Sequence, residues 1–423
     1  MDRRQYMRQF LALFSGTVAS QALNFAAYPF IARLYTPAEF GLLGMFIAAA
    51  AIPGALACGR FELAIATAPR GGRQAVLWLC FTIALGVSSV ATAAMALYWW
   101  WVDAPSLWLL IPLLFVTILL TGVANALTMF LMRHESFRFA SIGVVLRTAV
   151  TVLVQLGVVL VWPGPMGLIA GFALGLVAQS LLGLFITSRW YPLGRPRRSH
   201  MRAMFRRFRS QVSVDIPGSL LAALSFNLLP FFLQYLYGTA AVGLYSIGQR
   251  IAVLPLQLFN DALSQVFFQR AARAYESRGE FWQEFRWTLF ASGLISLGML
   301  AGLVFLAEPV ITLYLGAEWE LSGTILVILA PMLAIRSVAM SLATTVFVLK
   351  RAVWLFWHNV ASVVAIGAAF AIALATGAGM LTFLLLLAVL QGLEYAAFGV
   401  VLTVAARRRF YAVQRDSRNV PAE

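Results

Sequence analysis

The sequence predicts an all-α polytopic membrane protein of about twelve transmembrane helices, built as two parallel six-helix bundles. Three observations carry that expectation. The 423 residues are 61% hydrophobic and only 11% charged, with a mean hydropathy of +0.86. A water-soluble domain has about 25% charged residues, so this chain lacks the polar surface to cover a soluble core. Apolar stretches of roughly 20 residues, the length a spanning helix needs, recur from one end to the other. The third observation is an internal repeat, in which identities recur at one fixed offset.

Apolar runs and their breaks place the first six spans near 9–32, 40–66, 75–100, 106–131, 140–161 and 166–187. The second six follow near 213–236, 242–268, 287–314, 321–348, 353–375 and 380–405. Arg3, Arg4 and Arg8 precede the first span, and its apolar stretch exceeds a signal peptide's core, so a cytosolic anchor without cleavage is expected. Lys and Arg collect in short cytoplasmic loops, which tests the count independently. With both termini cytoplasmic, only Arg33 of the 31 basic residues falls in an outside loop. Arg60, Arg147, Arg250 and Arg336 fall within spans, and all the others lie in cytoplasmic segments. An eleven- or thirteen-span chain would put a basic loop on the wrong side. The net charge of +15 is therefore a topology signal.

The expected organisation is an N-terminal bundle over 1–188, a basic cytoplasmic linker over 189–212, a C-terminal bundle over 213–406 and a cytoplasmic tail over 407–423. The linker holds eight arginines between Arg189 and Arg209, together with Pro192, Gly194 and Pro196. It lacks interleaved stacking aromatics, so no nucleic-acid partner is expected. The halves it divides share residues: Leu34, Tyr35, Ala38, Gly41, Leu42 and Pro53 match Leu236, Tyr237, Ala240, Gly243, Leu244 and Pro255, and Gly16 matches Gly218. An even number of helices per repeat gives both halves the same orientation, with the pseudo-axis along the membrane normal. Rocking two such bundles would open a cleft to one side at a time, and transport is the activity this architecture suits. Pro53 and Pro255 are expected to kink their helices. Gly167, Gly171 and Gly175 form a G-x-x-x-G ridge that reads as close helix packing.

Charges in a bilayer cost roughly 2.5–3.5 kcal/mol each on insertion scales, so those kept there face a cavity or a partner. The basic ones are Arg60, Arg147, Arg250 and Arg336, and the acidic ones Glu62, Asp215, Asp261 and Glu394. Arg147 has the alternative of snorkelling to the surface, and Asp215 of anchoring the start of its span. Arg presents a permanently charged planar fork suited to phosphate or carboxylate, so four interior arginines argue for an anionic substrate. The acids are candidates for pairing or for proton or sodium coupling. Arg60 and Glu62, two apart on one expected helix, should not face each other, and their partners are expected on other helices. Cys58 and Cys80 lie in apolar segments, and His134, His200 and His358 are scattered without ligand spacing. No metal, cofactor or phosphate-binding loop is expected. Tyr98, Trp99, Trp100, Trp101 and Trp108 cluster at one boundary as an interfacial belt.

The stretch Ser15-Gly16-Thr17 through Gln21 and the block Arg33-Leu-Tyr-Thr-Pro-Ala-Glu-Phe-Gly41 resemble the N-terminus of the Wzx-type oligosaccharide flippases. These belong to the multidrug/oligosaccharidyl-lipid/polysaccharide (MOP) exporter superfamily. Tyr237 through Tyr245, Gln249-Arg250, Leu254-Pro255 and Gln265 through Arg270 are similar to that family's second half. The resemblance implies a twelve-helix carrier with no enzymatic activity. Its implied substrate is an undecaprenyl-diphosphate-linked oligosaccharide, moved to the outer leaflet of the bacterial inner membrane for O-antigen, capsule or exopolysaccharide synthesis. A polysaccharide polymerase is a candidate partner. The motif match reaches Arg33 and Arg250, whereas Arg60, Arg147 and Arg336 enter by depth alone. A MATE-like drug or cation exporter is the nearest rival, and four interior arginines tell against it. The lipid II flippase relatives usually carry two further helices. A polymerase or ligase would need a large external loop and a catalytic constellation, and neither is visible.

Overall fold

A computed structural model describes residues 3–69, 71–101, 108–191, 194 and 196–418. The side chains of residues 3–14, 211, 214, 254, 255, 258 and 416–418 lie outside that description. So do Pro192 of the expected linker and residues 106–107 of the expected fourth span.

Every described element is helical, and helices occupy all twelve expected spans. Among the described residues, ten candidate segments are long and apolar enough to cross a membrane, which makes the chain a multi-pass membrane protein. The first span, α1 (Arg3–Leu34), and the eighth, α10 (Thr239–Arg278), are long helices that fall outside that group. Contacts divide the chain into two units, Met1–Phe231 and Phe232–Glu423.

The first unit contains α1, α2 (Pro37–Gly54), α3 (Phe61–Thr67), α4 (Arg73–Trp101), α5 (Leu110–Arg133), α6 (Phe137–Val161), α7 (Met166–Trp190) and α8 (Arg198–Asn227). The second span does not form the single helix expected over 40–66. It stops at Gly54 and resumes at Phe61, because Gly59 and Arg60 take left-handed φ values of 55° and 64°. A left-handed residue cannot continue an α-helix. The backbone between keeps its hydrogen bonds through tight turns: Leu56, Ala57 and Gly59 each donate to the carbonyl three residues back. Such turns are what irregular backbone at membrane depth requires. α8 carries Arg198 through Arg209 of the basic segment directly into the seventh span, and it packs on α2, α3 and α4.

The Leu-Tyr-Thr-Pro block has a local explanation. Thr36 caps α2 in a capping box, its hydroxyl accepting from the Glu39 N–H while Glu39 Oε2 accepts from the Thr36 N–H at 2.7 Å. Pro37 follows in the first turn, where its missing N–H costs nothing. Tyr35 is buried and donates its hydroxyl to the Gln155 carbonyl of α6 at 2.7 Å. Burial, with the Glu39 carboxylate adding to it, pushes this phenol up to about 12, so it remains a donor across the physiological range.

The second unit contains α9 (Leu229–Tyr237) across its boundary, then α10, α11 (Trp282–Leu315), a 3-10 turn at Ala317–Trp319, α12 (Glu320–Ser341), α13 (Thr345–Val348), α14 (Val353–Thr376) and α15 (Met380–Arg418). Tyr237, the repeat partner of Tyr35, donates its hydroxyl to the Ala378 carbonyl at the same 2.7 Å. The repeat is thus structural at this position: in each half a tyrosine at a helix boundary ties its turn to a distant segment. The correspondence fails elsewhere. α10 is one unbroken helix through position 255, where its side chain lies outside the described residues, and the interruption in this unit falls instead at 342–344, between α12 and α13. The tenth span is therefore also discontinuous.

α6 and α7 pack along the glycine ridge. A Cβ at Gly171 would sit 2.6 Å from Gln155 Cγ and 2.9 Å from the Thr151 carbonyl. One at Gly175 would strike the Thr151 hydroxyl and lie 2.7 Å from the Arg147 carbonyl. Gly16 is as tight against Ser141 of α6, whereas its repeat partner Gly218 faces open space. Because backbone cannot yield as a side-chain tip can, Gly175→Ala is expected to lower unfolding stability in detergent by about 1–3 kcal/mol. Gly367→Ala, where nothing lies within 4 Å, should leave the thermal unfolding curve in place.

Candidate functional site

Two groups of charged and polar side chains stand out within the helices, one in each unit. In the first unit, the helix interruption builds the site. The left-handed turn at Arg60 swings its guanidinium back over α3, and Arg60 Nη1 meets Glu62 Oε1 at 3.4 Å. The expectation that these residues find partners only on other helices is therefore corrected. It assumed one continuous helix, and the chain is not helical at 60. Glu62 is 8% exposed, and its Oε2 and Arg60 Nε have no hydrogen-bond partner among the described residues. Asp215, half-buried on α8, lies within electrostatic reach of Glu62. α8 is held against α3 by Phe61 stacked on Phe205 at 5.4 Å. Cys58 and Cys80 are buried free thiols at the same interruption, Cys58 donating to the Gly122 carbonyl.

Arg147 stands apart from this group. Its guanidinium lies over the Phe172 ring of α7 at 5.3 Å, a cation–π contact, and the next residue, Thr148, shares a hydrogen bond with Ser20 of α1. Arg33 is exposed at the end of α1.

The second unit brings together two of the predicted residues, Arg336 and Glu394, through side chains the sequence reading passed over. His358 on α14 is buried and bonds through Nδ1 to Glu394 Oε1 on α15. Its ring stacks on Phe398 at 4.3 Å and meets Tyr395 at 5.3 Å. Arg336 on α12 lies over the Tyr395 ring, 5.8 Å from its centroid, and both the Arg336 and Glu394 charges act on that phenol. Gln391 donates to Ser362 Oγ at 3.3 Å, completing a polar seam between α14 and α15. Next to Arg336 on α12, Ser337 donates to Asn260 Oδ1 of α10 at 2.7 Å, with Ser341, one turn further on, at 3.1 Å from the same oxygen. Glu394 Oε2 is buried without a hydrogen-bond partner among the described residues. Arg250 is half-buried on α10, and Asp261 on the same helix is exposed. Neither has an oppositely charged partner within 4 Å among the described residues.

The signal for His358 was present. His358 and Ser362 are four apart on α14, and Gln391, Glu394 and Tyr395 are three and four apart on α15, so each set shares a helix face. Judging histidines by metal-ligand spacing overlooked that pattern. Among the described residues no group of three His, Cys, Asp or Glu is placed to hold a metal ion.

The fold that presents these residues is that of the MOP-superfamily transporters. An inward-facing multidrug resistance MATE family transporter of that superfamily superposes with a TM-score of 0.68 at 15% identity, over 96% of this chain and 99% of its own. The lipid II flippase MurJ in its inward closed conformation gives 0.67 at 13%, over 99% and 94%. A MOP superfamily transporter from Pyrococcus furiosus, described as having a binding pocket of reverse polarity, gives 0.63 at 16%, over 97% and 96%. The chain belongs to the polysaccharide biosynthesis protein family, whose pattern matches residues 30–323. No curated protein matches the sequence significantly.

The buried histidine–carboxyl pair is testable by itself. His358→Leu strands the Glu394 carboxyl in an apolar setting, and a loss of about 1–3 kcal/mol in unfolding stability is expected. Replacing both residues by Leu should recover part of it, so a double-mutant cycle read by thermal unfolding gives a coupling of about 0.5–3 kcal/mol.

Proposed function

We propose that this protein is a flippase. It moves an undecaprenyl-diphosphate-linked oligosaccharide from the cytoplasmic to the outer leaflet of the bacterial inner membrane by alternating access, and so feeds synthesis of O-antigen, capsule or exopolysaccharide. The observation that carries the reading is the union of a polysaccharide biosynthesis family match with a MOP transporter fold. Charge sign supports it, since a diphosphate is anionic, Arg147, Arg250 and Arg336 lie on helices, and Arg60 lies at the break just before α3. Arg33 is the fifth candidate contact. Both termini and the basic 189–212 segment are on the cytoplasmic side, and a polymerase acting on the outer face would take the product.

Glu62, Asp215, Asp261 and Glu394 are the acids to which a proton or sodium gradient would couple. Glu394 is the best placed of them, because it shares a seam with Arg336 and bonds to the buried His358. A MATE-like drug or organic-ion antiporter is the second reading, favoured by the multidrug transporter among the matching structures.

Removing the protein from its host should make lipid-linked oligosaccharide collect on the cytoplasmic leaflet, with loss of surface polymer. Unchanged lipid-linked sugar together with heightened drug sensitivity would favour the antiporter. Arg336→Ala and Arg250→Ala are each expected to abolish export while the protein still inserts, and Lys at either position to restore part of it. Wild-type export from both alanine variants would end the charged-site mechanism. Collapsing the proton and sodium gradients should slow turnover, and an unchanged rate would remove the coupling role of the acids.

A further inference from the structure

Away from both polar groups, the second unit contains a cavity of about 670 Å³ between α10 and α11. The two helices are joined by the tight turn at Gly279, whose φ of 72° ends α10. The walls of the cavity change character together. Near the turn they carry Arg270, Arg273 and Arg278 on α10 and Glu284 on α11, and farther away Val266 and Phe267 on α10 with Trp287 and Ala291 on α11.

The charges there do not cancel. Arg278 Nη2 meets Glu284 Oε1 at 2.5 Å, and its Nε lies 3.9 Å from Glu280, so this arginine is matched. Arg270 and Arg273 have no acidic partner within 4 Å among the described residues. They sit three apart on one helix face, with Cβ atoms about 5–6 Å from each other, a spacing at which two guanidinium forks can grip one phosphate. The mouth lies on an apolar surface. Trp287 is 66% exposed beside it, and Phe290, Leu294 and Leu297 continue exposed along α11, within a segment apolar enough to span the membrane.

We propose that this cavity is a binding site for one anionic phospholipid. Its phosphate lies on Arg270 and Arg273, its upper chain runs along Val266, Phe267 and Ala291, and Trp287 sits at the headgroup level. The gradient from charged to apolar wall spans about 10–15 Å of helix, from position 273 towards 263, which is the profile of a lipid headgroup above its chain rather than of a soluble ion. Two unmatched cations favour a lipid with net negative charge over one whose phosphate is already balanced by an amine. The site is independent of the flippase reading, because it uses none of the residues assigned to substrate.

The test uses the full chain purified in mild detergent and native mass spectrometry with phosphatidylglycerol or phosphatidylcholine added. The wild type should retain one phosphatidylglycerol in preference to phosphatidylcholine. Arg270→Gln/Arg273→Gln should weaken that retention roughly thirtyfold, and Arg270→Lys/Arg273→Lys should keep most of it. Arg407→Gln/Arg408→Gln, which removes the same charge from α15 outside the cavity, should leave retention unchanged. Thermal unfolding checks that each variant is folded. Equal loss in the α15 variant would mean general surface charge and overturn the site, as would full retention in Arg270→Gln/Arg273→Gln. Displacement of the lipid by millimolar inorganic phosphate would make it a soluble-anion site, and that too would overturn the proposal.

Discussion

A backbone placed in hydrocarbon has no water to satisfy its N–H and C=O groups, and this one constraint governs the rest of the molecule. It makes every described element helical. Where the helix does stop, at 55–60 and at 342–344, it also dictates what replaces it: consecutive three-residue turns in which Ala57, Gly59, Thr345 and Val346 find the carbonyls they would otherwise lose. The same constraint explains why helices α6 and α7 meet on glycines, since lipid offers no hydrophobic drive for association and close approach must supply the contact. Charges obey it as well. Arg60 and Glu62 pair across an interruption, because a lone ion there would carry an uncompensated desolvation cost, and His358 and Glu394 bond across two helices.

The two halves treat their shared sequence in instructive ways. Tyr35 and Tyr237 do the same work, each closing a helix boundary onto a distant carbonyl. The capping box of Thr36 and Glu39 has no counterpart, because Gly238 stands where Thr36 would be and begins α10 with a φ of 83°. Gly16 packs tightly on the Ser141 side chain and Gly218 has nothing within 4 Å of an added Cβ. Identity at a fixed offset therefore marks common ancestry more reliably than common function, and here it preserves the joints better than the polar interior.

Much of the architecture was legible because lipid imposes long apolar runs. All twelve stretches hold helix, the second and tenth with a break, and the glycine ridge read as close packing is close packing. The interruption of the second span was not legible: Gly59 hints at it, but nothing in an apolar run announces that a residue such as Arg60 will turn left-handed. The site divided in the same way. Arg336 and Glu394 stood out by their charge in an apolar context, while Ser362, Gln391 and Asn260 did not, because an uncharged polar residue carries little signal until its partner on another helix is known. His358 was passed over because it was judged by metal-ligand spacing alone. Spacing along one helix can show that residues share a face, and only packing shows what that face meets.

The interruption at 55–60 has a consequence for how the chain is made. α3, from Phe61 to Thr67, is seven residues long, about 10 Å of helix in a hydrocarbon layer of about 30 Å. No helix that short partitions into a bilayer alone. Its polar ends acquire protein neighbours only when α4, α5 and finally α8 pack around it, and α8 begins at Arg198, well over a hundred residues later in synthesis. The first half of this protein is therefore finished only after α8 has been made: α2 is long and apolar enough to cross the membrane by itself, whereas α3 takes its packing entirely from helices that follow it in the chain.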